Sequence, residues 1–370
     1  MPRIARGRPA GARLMFETAG AAPPPPPGSR ISVVTPTFRR PGEIPPLLEN
    51  LARQDQLPLE LILVDGATDE DHATEQVVHE LAGSAPFRVK YLRHGGGTAI
   101  QRNVGIDVVE GDFIAFIDDD IRLEPDFFRI MLDLYAQPGM EDVGGLAGYI
   151  TNQYVDALTT PRWRLYRRLG MFTTFEPGRY DFESGYPINR YMQPPHDGIR
   201  PIDFMGTNCA VWRRQVLDEG LRFSEFFKDY GVLEDAHFAL RAGRSWRILE
   251  CGRARCQHLH AAGGRVDARR LAYKTAVNYR FVFVDIVRDR TWRNEWRFWR
   301  VQAFDLGRLV FRGLQTWQRD HWMSVVGKLE GMARAAFVRP EPPAASNPSR
   351  DKSSEVQTLV ESGTTSHGDR

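Results

Sequence analysis

The run FIAFIDDD at residues 113–120 ends an apolar, strand-like stretch in three consecutive carboxylates. Clustered anions repel one another and resist losing water, so such a cluster needs a positive partner. A divalent cation is the simplest one. In an extended chain Asp118 and Asp120 share one face and stand roughly 6.5–7 Å apart, close enough to reach one ion or its waters. Oxygen ligands of this kind suit Mg2+ or Mn2+, which keep waters and bind substrate phosphates. A second ligand-like segment, CGRARCQHLH at 251–260, brings Cys256, His258 and His260 onto one face if extended. Zinc is conceivable there, although the spacing fits no standard zinc motif.

These groups need a scaffold. Short β-like runs (ISVVTP, LELILVDG, RVKYLRH, DFIAFIDD) alternate with helix-compatible ones (IPPLLENLARQ, ATEQVVHELAG, AIQRNVGIDVV, PDFFRIMLDLYA). That alternation predicts an α/β fold, a sheet with crossover helices. In open sheets of this class ligands collect at the carboxyl ends of strands, where Thr35-Pro36-Thr37, Asp65-Gly66 and Asp118 to Asp120 would meet. The first strand–helix turn, TPTFRRPGE, lacks the glycine pattern of a dinucleotide site, and no P-loop motif occurs. Gly95-Gly96-Gly97-Thr98 precedes a helix, whose free N–H groups favour an anion; a plain turn is the alternative.

Residues 1–29 and 339–370 are expected to be disordered tails, the first with a polyproline run. Residues 30–265 would form the sheet domain. Within it, 152–203 lacks periodicity and reads as an insertion or loop region. An aromatic and basic helical appendage is expected over 266–338. Its Trp292, Trp296, Trp299 and Trp317 are read first as core packing, and second as an interfacial surface whose Lys and Arg meet anionic lipid. The second reading implies peripheral membrane contact.

The 370 residues, 42% hydrophobic, suffice for a large core, and a formal charge of +2 argues against nucleic acid as the partner. Cys209, Cys251 and Cys256 cannot all pair, which fits a reducing, cytoplasmic setting. The basic start MPRIARGRPAGARL has no apolar core behind it, so no export is expected. Charges interrupt every apolar run before the ~18 residues of a spanning helix.

Six motifs occur in order: VVTPTFRRP, LVDGATDE, GGGTAIQRNVG, FIDDDIRLEPDF, MGTNCAVWRR and LEDAHFALR. Together, over about residues 30–262, they resemble family 2 glycosyltransferases of the GT-A fold, with a mixed, mostly parallel sheet flanked by helices. The resemblance implies an inverting, metal-dependent enzyme that takes a UDP-, GDP- or dTDP-sugar donor and a glycan or lipid-linked acceptor. It implies that Asp65 bonds the donor base, with Thr35, Pro36, Thr37 and Arg39 lining the same pocket; a helix-capping Asp65 and a solvated Arg39 are the alternatives. Arg102 and Asn103 would sit near the diphosphate and sugar, or Arg102 would form a structural ion pair. Asp118 and Asp120 would hold the metal, Asp119 the sugar or ribose, and His258, or else His260, would be a further ligand. Asp235 would be the catalytic base, Glu234 its support, and Gly206-Thr207-Asn208 a loop near donor sugar and acceptor. A sugar-phosphate nucleotidyltransferase and a non-catalytic nucleotide-sugar binder are the rival readings.

Overall fold

The computed structural model describes residues 12–23, 25–157, 159–229, 231–261 and 267–342. In chain order the elements are β1 (Arg13–Glu17), β2 (Ile31–Thr37), α1 (Ile44–Ala52), β3 (Glu60–Asp65), α2 (Ala73–Leu81), β4 (Arg88–Arg93), α3 (Thr98–Ile106), β5 (Phe113–Ile117), β6 (Ile121–Leu123), α4 (Phe127–Tyr135) and β7 (Val143–Ile150). There follow α5 (Pro161–Arg168), β8 (Tyr180–Asp181), β9 (Tyr186–Pro187), β10 (Ile199–Pro201), β11 (Cys209–Arg213), α6 (Arg214–Asp218), α7 (Glu234–Ala242), β12 (Arg247–His258), α8 (Ala268–Ile286), α9 (Trp292–Thr316) and α10 (Arg319–Ala335).

The main sheet runs β1-β4-β3-β2-β5-β11-β7-β12-β10, with β6 paired to β12. Strands β2, β3, β4, β5, β7 and β12 point one way and β1, β6, β10 and β11 the other, so the sheet is mixed but mostly parallel. The period-2 side-chain alternation of its strands divides the core. Ile31, Val33, Leu61, Leu63, Ala115 and Ile117 pack on one face with α1 and α4. Val34, Ile62, Val64, Ile114 and Phe116 pack on the other with α3 and α7. Strands β2, β3 and β5 are thus buried on both faces, and only their carboxyl ends are left to meet a ligand.

Three sequence expectations change here. Arg13–Glu17, placed in the N-terminal tail, is an edge strand pairing with β4, because Leu14 and Phe16 find apolar neighbours there. The described part of the 152–203 segment is folded: Trp163, Tyr166, Met171, Phe172, Ile188 and Met192 form a third core with Val301 of α9. Glu250 of β12 fastens it, taking Arg190, Arg200 and His196 at 3.3, 2.7 and 3.1 Å. Finally, Trp292, Trp296 and Trp317 do not pack into the core; they are 74%, 55% and 76% exposed.

The C-terminal helices are locked to the sheet domain. On α10, added Cβ atoms at Gly327 and Gly331 would lie 2.0 Å from Arg269 O and 2.7 Å from Tyr273 O, so α10 crosses α8 backbone to backbone. On α7, buried His237 bonds Asp285 of α8 at 2.9 Å, and Arg288 closes on the same carboxylate at 2.9 Å. These contacts hold the first turn of α7 in place.

Candidate active site

The carboxyl ends of β2, β3, β5 and β12 and the start of α3 surround a cleft of about 590 Å³. Pro36, Thr37, Phe38 and Arg40 form one wall; Gly66, Gln101 and Arg102 the floor; Asp118 to Asp120, Glu234, His258 and His260 the far side. Gly97 caps α3 with φ +89, a region costly for a residue with a Cβ, and a Cβ there would stand 2.2 Å from Asp229 O. The glycine run therefore does two jobs. It turns the chain into α3, whose N-terminus opens on the cleft, and it lets residue 229 close over it, with Asp229 N–H donating to Gly96 O at 2.8 Å. Gly97→Ala is expected to push that segment off α3, with a destabilisation of ~1–3 kcal/mol. Thermal melts and calorimetric titration with a nucleoside diphosphate check this; wild-type stability and affinity would contradict it.

Each acid of the triplet has a protein cation. Arg102, almost wholly buried, donates to Asp118 at 2.8 Å and to Glu234 at 3.2 Å. Thr37 and Arg40 each reach Asp119 at 2.8 Å. His258 Nε2 stands 3.3 Å from Asp120, and the Ala261 N–H donates to the same carboxylate at 3.0 Å. Gln153 donates to His258 Nδ1 at 2.9 Å and thereby directs the His258 Nε2–H at Asp120. Burial pushes Asp118 above the usual carboxylate range despite Arg102, and raises Asp119 to about 6 despite Arg40. Burial acts most strongly on Asp120 too, but the bond and charge of His258, the Ala261 N–H and Arg40 together outweigh it and leave this acid below the usual range.

This donor set fits a hard dication. Mg2+-type ions take one or two carboxylates and complete their shell with water and phosphate oxygens, and here two acids and an imidazole edge the space a diphosphate would fill. Among the described residues no three His, Cys, Asp or Glu side chains converge into a ready-made ion site, so substrate oxygens would have to share the coordination. The zinc alternative fails for a separate reason: Cys256 is fully buried in the core, whereas His258 and His260 stand at the cleft, their rings 3.9 Å apart.

Glu234 and Asp235 open α7 directly after Leu233, whose left-handed φ of 68 starts the helix abruptly. The two acids line different spaces. Glu234 edges the acid-rich cleft, while Asp235 edges a second cavity of about 440 Å³. Gly206, Asn208, Trp163, Tyr186, Tyr191 and Tyr279 share that cavity with it. The Ala236 N–H donates to Asp235 at 2.7 Å, and among the described residues no cation is bonded to it. Burial, with Glu234 alongside, pushes its carboxyl up to about 7. A carboxylate desolvated this way is a better proton acceptor than one in water.

The placement of the expected residues is mixed. Pro36, Thr37, Arg102, Asp118, Asp119, Asp120, Glu234, His258 and His260 line the first cleft. Asp65 does not. Its carboxylate is fully buried and already taken by the Ala67 N–H at 2.9 Å and the Tyr91 hydroxyl at 2.7 Å, so Gly66 forms the floor in its place. Thr35 is buried beneath the floor. Arg39, with φ 55, turns outward to Asp71, and Arg40 occupies the cleft wall instead. Asn103 braces residue 223 through both its amide atoms. Gly206 and Asn208 belong to the second cavity, and Thr207 is buried beside them. Sequence reasoning missed Arg40, Gln101 and the aromatic wall. The doubled Arg at 39–40 was the only hint of the first, and nothing local signalled the others.

Residues 32–192 match the family described as Glycosyl transferase family 2. An uncharacterized glycosyltransferase of Haemophilus influenzae is 35% identical over 107 residues, 29% of this chain and 35% of that protein. The GalNAc(5)-diNAcBac-PP-undecaprenol beta-1,3-glucosyltransferase of Campylobacter jejuni is 32% identical over 97 residues, 25% of this chain and 30% of that protein. The chain thus spans about a third of the length of these curated relatives. Among solved structures, that of GalNAc-T7 with UDP, GalNAc and Mn2+ is similar in fold, with a TM-score of 0.50 and 11% identity over 69% of this chain and 50% of that one.

Proposed function

We propose that this chain, whose residues 32–192 match glycosyl transferase family 2, is an inverting enzyme of that family, moving a sugar from a nucleoside diphosphate donor to an acceptor hydroxyl. One observation carries the reading: adjacent acids, Glu234 and Asp235, face two neighbouring cavities, one rich in acids and cations and the other aromatic. A donor in the first and an acceptor in the second would meet at the first turn of α7.

In this reading the diphosphate lies against the N-terminus of α3, with Arg40 and Arg102 supplying fixed positive charge nearby. Asp118 and Asp120, with His258 beside them, would hold Mg2+ or Mn2+, which neutralises charge on the departing nucleoside diphosphate. Asp119, fixed by Thr37 and Arg40, is left to accept from a sugar or ribose hydroxyl. Glu234, held by Arg102 and Thr98, orients the sugar side of the cleft. Asp235 takes the proton of the acceptor hydroxyl as that oxygen bonds the anomeric carbon. The bond from this carbon to the phosphate oxygen breaks on the opposite face, so the configuration inverts and a nucleoside diphosphate leaves.

A UDP-, GDP- or dTDP-sugar suits the cleft, and a glycan or lipid-linked sugar suits the aromatic cavity. The three buried, unpaired cysteines support action in a reducing, cytoplasmic setting. Screening nucleotide sugars for Mn2+-dependent transfer and hydrolysis tests the reading. Turnover of none of them, with metal present and the protein folded, would reject it. A base that titrates near 7 also sets a pH limb. Because Asp235 must be ionised to act, kcat/KM is expected to rise with pH up to about 7 and then level, losing roughly tenfold per pH unit below. A profile flat from pH 5 to 8, to take approximate bounds, would remove Asp235 from the proton path.

A further inference from the structure

The α9 helix is apolar on the side that faces away from the protein. At a helical turn of about 100° per residue, Trp292, Trp296, Ala303, Gly307, Phe311 and Leu314 fall within one arc of about 100°, and all are exposed. The opposite side carries Phe298, Val301 and Gln302 into the protein. An exposed stripe of two Trp, a Phe and a Leu on one helix is more apolar surface than a water-facing helix needs.

The stripe's surroundings are cationic. Arg300 lies within it, 4.8 Å over the Trp296 ring, and donates to the backbone oxygens of Gly170 and Met171 just past α5. That contact joins the stripe to the outer side of α5, where Arg164, Leu165, Arg167, Arg168 and Leu169 are exposed. Arg293 and Arg297 flank the stripe on α9, Arg297 standing 4.0 Å from Glu183. The acids of α9 are already engaged on other sides of the helix: Glu295 by Arg280 and Arg290, Asp305 by Arg308 and Lys328. The inner side of the same α5 places Arg162 and Trp163 in the wall of the Asp235 cavity.

We propose that α9 and α5 form a docking face for an anionic lipid bilayer, with the aromatic stripe in the headgroup–acyl boundary and the arginines on lipid phosphates. Trp at the interface and Arg beside it are what such a surface recognises. Among the described residues no helix is long and apolar enough to cross a membrane, so the contact is one of lying on the surface. The face sits next to the cavity that the proposed function gives to the acceptor, and so would bring a lipid-borne acceptor to Asp235. The docking itself rests only on the surface, and its test reads lipid binding rather than transfer.

The test is co-sedimentation of the full chain with vesicles of phosphatidylcholine alone or containing about a third phosphatidylglycerol. Binding to the anionic vesicles is expected to exceed that to neutral ones by about tenfold or more and to fall as salt rises past ~0.1 M. Trp296→Glu combined with Phe311→Glu changes only exposed side chains; it is expected to cut vesicle binding by about tenfold or more. Its melting temperature and its transfer to a water-soluble acceptor should stay unchanged. No binding to anionic vesicles by the wild type, or undiminished binding by the double variant, overturns the proposal. So does a dimer that the variant dissolves in a chain that ignores vesicles, since a second copy would then occupy the face.

Discussion

Asp235→Asn is expected to abolish sugar transfer, lowering kcat by ~10²–10⁴ while leaving nucleoside diphosphate affinity within about twofold. The side chain keeps its shape, and the Asn oxygen still accepts from the Ala236 N–H. What it loses is the capacity to take a proton. The donor cleft should not notice, because Asp235 lines the other cavity. The protein should not unfold either. Burial raises this carboxyl to about 7, so between the ordinary carboxylate range and that value the native state holds a proton the unfolded chain has released. Stability therefore declines as pH rises through this window, and the decline should be shallower in the Asn variant, where Asp118 and Asp119, also raised by burial, still contribute to it. Denaturant melts from acid to alkaline pH read that difference without reference to activity. A variant that transfers sugar at the wild-type rate would favour a non-catalytic nucleotide-sugar binder.

Asp120→Ala is expected to remove most of the divalent-ion dependence of nucleoside diphosphate binding. Loss of even an outer partner of a metal ligand costs roughly 10–100-fold, and a ligand itself should cost at least that. In calorimetric titrations the wild type with Mn2+ should bind far more tightly than the wild type with chelator, whereas the variant should give nearly one affinity in both. The comparison separates metal loss from general damage, since a collapsed cleft would also lose the metal-free binding. Asp120 is suited to the role because His258, the Ala261 N–H and Arg40 together overcome its burial and keep it below the ordinary carboxylate range, hence ionised. Equal donor affinity with and without the ion in the wild type would rule out the assignment.

Much of this architecture is written in short-range patterns. The runs ISVV, LILV and FIAFI alternate their side chains between two cores, and their carboxyl ends converge because parallel strands joined by crossover helices leave them no other arrangement. Hence the acid triplet and Thr37 could be placed from the pattern alone, whereas the Glu234-Asp235 pair, which opens α7, is placed only by the family resemblance. What escaped depends on single torsions and on distant packing. A left-handed Arg39 sends one arginine outward and the next inward, and no local residue type announces that. Asp65 ends its strand as expected, yet Tyr91 of the neighbouring strand takes its carboxylate, a contact between residues on separate strands. The aromatic cavity arises only when the 152–203 segment folds onto Tyr279 of α8. The tryptophan spacing on α9 reports a helix side but is silent on whether that side is covered.

The pair His237–Asp285 gives the C-terminal helices a hold on the start of α7. His237 is two residues beyond the proposed proton acceptor on a helix anchored to α8, and α8 is keyed to α10 through glycines. Any load that shifts those helices is passed, as along a lever, to the carboxylate at the tip of α7. The geometry proposed for catalysis is thus adjustable from behind, through helices whose own part at the second cavity, Tyr279, is to wall it.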